Sequence, residues 1–141
     1  MLELKIDDGL QELNLNGKVS VLLNLTDAHF VEKFFNEFDS MDKLQEDYKA
    51  ALDASADDNK KVFEIARRMD AEMRDRINTV FGTNVCDPLF GDTNVYAFGG
   101  GLPLWCNLMF TLLDEMDSTF ANERKKTNPK VQKYLAKYGK K

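Results

Sequence analysis

The sequence predicts an α+β fold, mainly α, with an N-terminal β-hairpin or three-stranded ribbon packed on three main helices and a short basic C-terminal helix or tail. Three observations carry this. Residues 1–25 alternate apolar and polar side chains with the period of two that turns one face of a strand toward a core. Residues 26–54, 59–81 and 103–122 repeat apolar side chains three and four apart, the spacing of one helical face. At 141 residues, 43% hydrophobic and 30% charged, the chain suits a single core, and it has no apolar run of the roughly 18 residues that a membrane span needs.

In the ribbon, Leu2, Leu4 and Ile6 alternate with polar residues, Asp7-Asp8-Gly9 signals a turn, and Leu13 and Leu15 alternate again. Asn16-Gly17 then leads into Val19, Val21, Leu23 and Leu25. Asn-Gly between alternating runs signals a hairpin, because both residues tolerate the positive φ of a type I′ turn. Such a ribbon is marginal alone and must lay its apolar face on helices or pair with another chain's edge.

The first helix is expected over 26–54, with Thr26 or Asp27 as N-cap and a stripe through Phe30, Val31, Phe34, Phe35, Phe38, Met41, Leu44, Tyr48, Ala51 and Leu52. After the polar break 54–59, a second helix over 59–81 carries Val62, Ala66, Met69, Met73, Ile77 and Val80 and ends at Gly82. The two should form an antiparallel pair. Residues 82–102, with five glycines and Asp87-Pro88 among apolar side chains, are expected to be a structured loop buried against something. A third helix over 103–122 opens on Pro103 and carries Leu104, Trp105, Leu108, Met109, Leu112, Leu113, Met116 and Phe120. Residues 1–123 thus form one domain, and 124–141 a basic tail in which Val131, Tyr134, Leu135 and Tyr138 mark a short amphipathic helix.

The net charge of −5 hides an asymmetry. All 24 acidic residues and 11 of the 19 basic ones lie in 1–123, a net −13, whereas 124–141 carries eight basic residues and no acidic one. An acidic body opposes approach to phosphates, so a protein contact or solubility is the favoured use of the tail over nucleic acid. The N-terminus lacks the basic start and apolar stretch of a secretory signal, which places the chain in the cytoplasm. Cys86 and Cys106 are expected as reduced thiols, and one histidine is too few for a zinc site.

No pattern asks for chemistry. His29 has no nucleophile motif around it and reads as a capping or partly buried residue. Gly99-Gly100-Gly101 before a helix suggests tight chain reversal; a phosphate loop would need GxxxxGK[ST] and donors where Leu102-Pro103-Leu104-Trp105 stands. The pairs Asp7-Asp8, Asp57-Asp58 and Asp114-Glu115 lack calcium-loop spacing and read as solvated charge. Catalytic residues, cofactor and metal are all expected to be absent. What remains is surplus apolar surface, suited to a partner protein or a homo-oligomer: Val85, Leu89, Phe90, Tyr96, Phe98, Trp105, Met109, Tyr134, Leu135 and Tyr138 are the candidate protein-binding residues.

Asn24-Leu-Thr-Asp-Ala-His-Phe-Val-Glu-Lys-Phe-Phe35 after a hairpin, Ile77-Asn-Thr-Val-Phe-Gly82, Leu89-Phe-Gly-Asp-Thr-Asn-Val-Tyr-Ala-Phe98 and Gly101-Leu-Pro-Leu-Trp-Cys-Asn107 resemble a family of small proteins from tail-gene modules of phages and prophages of Gram-positive bacteria, similar in layout to tail assembly chaperones. The resemblance spans most of residues 1–120. It implies a protein of the infected cell's cytoplasm that escorts the long tape-measure protein during tail assembly and is absent from the finished virion. It also brings in a longer, frameshifted form, for which Gly139-Lys140-Lys141 could be the slippery stretch. Two other readings stand beside it: a tail-tube or connector subunit whose ribbon pairs edge to edge, and a regulatory module that binds nucleic acid through the basic tail.

Overall fold

A computed structural model describes residues 1–138, and for 127–132 and 134–138 the course of the backbone alone. The fold is α+β and mainly helical. A two-stranded antiparallel hairpin, β1 (Gln11–Leu15) and β2 (Val19–Leu23), precedes α1 (Ala28–Ala54) and α2 (Asn59–Phe81). A short α3 (Cys86–Phe90) and a second, minimal hairpin, β3 (Phe98–Gly99) and β4 (Leu102–Pro103), lead into α4 (Leu104–Tyr138).

Local chemistry sets these boundaries. Asn16 and Gly17 take φ of 55° and 71°, and the Lys18 amide donates to the Leu15 carbonyl at 2.9 Å to close the turn. Asp27 caps α1 by accepting from the His29 amide, Asp58 caps α2 by accepting from the Lys61 amide, and Gly82 ends α2 in the left-handed conformation. His29 itself is exposed, not partly buried. Residues 55–58 reverse the chain, so that Arg76 near the end of α2 meets Glu37 near the start of α1 at 3.3 Å, as in the expected antiparallel pair.

One core joins the inner face of the ribbon to the stripes of α1, α2 and α4, with Phe34, Met41, Met73, Ile77, Val80, Trp105 and Met109 buried in it. Leu13, Leu15, Val19 and Leu23 pack on its edge while Glu12, Asn14, Ser20 and Leu22 face outward, the alternation expected of a ribbon with one wet face. Among the described residues no helix is long and apolar enough to cross a membrane.

Four expectations are corrected. Leu2, Leu4 and Ile6 form no strand; they stand 89%, 84% and 84% exposed on an arm without regular structure, so the ribbon has two strands, not three. The cause lies at residues 7–10, where Asp7 and Asp8 side chains accept from the Gly9 and Leu10 amides and Asn24 donates to the Asp8 carbonyl at 3.0 Å, holding the arm's base at the end of β2. Residues 82–102 are more ordered than a loop, since Pro88 fits the first turn of α3. Pro103 belongs to β4, so the last helix opens on Leu104. That helix also runs on to Tyr138 as one element: 121–128 are mostly helix-favouring polar residues, and a helix that projects beyond the core needs no apolar stripe.

Candidate protein-binding surfaces

Three polar side chains four residues apart on one face of α2, Asp70, Arg74 and Asn78, build the platform under residues 85–97. Asn78 Oδ1 accepts from the Val85 and Cys86 amides at 2.9 and 3.1 Å, capping α3 from outside because Val85 offers no side-chain cap. Arg74 spends its fork on Asp70 and Asp87, at 3.0 and 3.1 Å, and on the carbonyls of Gly91 and Thr93, both at 2.8 Å. Asp70 Oδ1 takes the Val95 amide at 2.8 Å, and Asn94 Nδ2 reaches the Ala66 carbonyl at 3.0 Å. Such a chain segment is a rigid support.

From that support the minimal hairpin projects. Leu104 and Trp105 amides donate to Ala97 and Val95 carbonyls at 2.7 and 3.1 Å, which engages the first N–H groups of α4 and leaves them unavailable to a phosphate. Gly100 and Gly101 turn at φ of 63° and 84°, and a Cβ on Gly99 would stand 2.9 Å from Leu104 Cδ2. The glycines therefore reverse the chain tightly. Phe98, at the edge of the reversal, is 76% exposed.

The candidate residues divide by this geometry. Val85, Leu89, Tyr96, Trp105 and Met109 are buried in the chain's own core, Phe90 is half-buried, and Phe98 is exposed. The side chains of Tyr134, Leu135 and Tyr138 lie outside the described residues. Tyr96 stacks on Tyr48 with ring centroids 4.1 Å apart, and burial pushes its phenol well above the usual range. Burial likewise pushes the Cys86 thiol up to about 12 against the pull of nearby Arg74, and raises Cys106 less, aided by Asp42. Both cysteines are free.

Along α1 and at the α1/α4 seam lie surface rings that sequence reading missed. Buried Trp105 meets Phe38 edge-on at 6.2 Å, Phe38 meets exposed Phe110 at 5.7 Å, and Phe34 meets exposed Phe35 at 5.1 Å. Phe63 is exposed on α2. Phe63 and Phe110 fall between the stripe positions of their helices, and a large aromatic ring off the stripe is the signal that finds them. A third feature runs beside β1, where two adjoining grooves of about 280 and 240 Å³ share Asn14, Leu15, Leu108 and Thr111.

Among the described residues no cluster of His, Cys, Asp or Glu could hold a metal ion. Arg124, Lys125 and Lys126 are exposed on α4, and Lys126 pairs with Glu123 at 3.2 Å. Comparison with known proteins finds no match to any family model, curated protein or solved structure.

Proposed function

We propose that the chain acts by reversible protein binding, as a cytoplasmic chaperone of phage tail assembly whose client is the tape-measure protein, with no catalytic step and no cofactor. The observation that carries the binding role is the set of exposed phenylalanines on ordered supports: Phe98 on the stapled reversal, Phe35 against buried Phe34 on α1, and Phe110 on the α1/α4 seam. Rings held in place by buried neighbours offer a large apolar contact at small entropic cost, which suits capture of an amphipathic helix. The client and its setting rest on the resemblance of residues 24–35, 77–82, 89–98 and 101–107 to tail assembly chaperones. The two open edges of the ribbon favour a second reading, a tail-tube or connector subunit that remains in the particle.

Capture of a tagged copy from cells producing phage, with the bound proteins identified by mass spectrometry, tests the proposal. Recovery of a long helical tape-measure protein, with no copy of this chain in purified virions, is the expected result. Its presence in virions supports the structural reading, and recovery of no tail protein overturns both.

A further inference from the structure

The first six residues and the first strand of the ribbon are complementary features of the same molecule. Leu2, Leu4 and Ile6 alternate with polar residues in a segment five residues long like β1, so that as a strand they would fall on one face, and all three are exposed. β1 pairs only with β2 among the described residues, so alternate N–H and C=O groups along its other side await a partner. Beside that open side lies the groove of about 240 Å³, floored by Leu13, Leu15, Phe81, Leu108 and Leu112 and rimmed by Glu12 and Glu115.

We propose that the arm of one copy adds to the free edge of β1 in a second copy, with Leu2, Leu4 and Ile6 entering the groove between β1 and α4. Strand addition supplies the hydrogen bonds, and the groove selects the alternate side chains. Glu3 and Lys5 then stay on the outer face, where Lys5 meets the acidic rim at Glu12. In this structure the arm does not pair with its own β1. Its base is fixed at the far end of β2 by the bond from Asn24 to the Asp8 carbonyl, and a side chain at Gly9, which sits at φ 73°, would place its Cβ 2.6 Å from Asn24 Nδ2. Each copy thus carries one arm and one vacant edge, and a second copy supplies what each lacks.

The test is sedimentation velocity on the full chain, on Leu4→Asp/Ile6→Asp and on Thr111→Arg. Arm side chains and Thr111 are all exposed, so both variants should melt with the wild type. The expected result is a dimer or larger species for the wild type, with dissociation constants raised at least about 100-fold in each variant. Mixing the two variants should restore a hetero-species, since the intact arm of Thr111→Arg meets the intact groove of Leu4→Asp/Ile6→Asp. A monomeric wild type, association untouched by either variant, or a mixture that stays monomeric overturns the proposal. No client enters these measurements, so they stand or fall apart from the chaperone role.

Discussion

Gln45 on α1 accepts the indole N–H of Trp105 on α4 at 2.7 Å, a bond between residues 60 apart in sequence that ties the first turn of α4 to α1. Trp105 is the only tryptophan and is 2% exposed, so its N–H has no access to water once that acceptor goes. Gln45→Leu should therefore cost about 1–3 kcal/mol, the desolvation of an orphaned donor. At this chain length that lowers the melting temperature by roughly 3–10 °C. Gln45→Glu keeps an acceptor and should cost less. Thermal melts followed by tryptophan emission read both, and equal losses in the two variants would refute the role of the acceptor.

Arg74 makes the larger prediction. Its guanidinium ties α2, α3 and the segment 91–93 together, and its side chain is largely buried with that of Asp70. Arg74→Lys keeps the charge but offers a single ammonium in place of a planar fork, so it should recover little of what Arg74→Met loses. Losses of about 2–4 kcal/mol are expected for either, with two carboxylates and two carbonyls left to water. Hydrogen exchange should accelerate first at Val95 and in α3.

How much of this was legible in the sequence depends on where the partner sits. Asn16-Gly17, Asp27, Asp58 and Gly82 act on backbone a few residues away, and their roles could be read directly. Arg74 looked like one more polar residue on a helix, because its partners at Gly91 and Thr93 are carbonyls with no side-chain signature. Periodicity found the core of α2, yet it has no power between elements. Tyr96 and Phe98 stand two residues apart in the same segment, one buried and one exposed, and only the Asp70 and Asn94 contacts decide which. Leu2, Leu4 and Ile6 alternate like any strand, but pairing depends on an edge that the pattern does not name.

Burial of Cys86 and Tyr96 fixes the alkaline limit of the fold. The Cys86 thiol rises from 9.0 to about 12, and the Tyr96 phenol rises from 10.0. Below about pH 9 both groups are protonated whether folded or not, and stability is fully present. Between about 9 and 12 the unfolded thiol releases its proton while the folded one keeps it, so stability falls with rising pH, by about 1.4 kcal/mol per pH unit for each group in its window. Denaturant midpoints should decline over that range, and Cys86→Ala should flatten part of the decline. A midpoint constant to about pH 11 would contradict this.

Tyr96 carries a second consequence. Its hydroxyl is buried without a hydrogen-bond partner among the described residues, while its ring stacks on Tyr48. Tyr96→Phe keeps the stacking and removes the orphaned group, so the variant should equal the wild type or exceed it by about 1 kcal/mol. A loss of similar size would reveal a bond to that hydroxyl.

Exposed rings separate folding from binding. Phe98 is largely outside the core, so Phe98→Ser should change stability by less than about 1 kcal/mol, as surface substitutions do, while Phe110→Ser, which also loses the edge contact to Phe38, should cost about 1–2 kcal/mol. If these rings are the contact for a helical client, each should still weaken capture of the tape-measure protein by about 10-fold or more, the loss expected when a central aromatic is truncated. Phe63→Ser, at a ring on α2 whose exposure lies between those of Phe98 and Phe110, is the internal comparison. Selective loss at 98 and 110 would place the client across the reversal and the α1/α4 seam. Equal loss at all three would mean that general stickiness, and not a site, accounts for the capture.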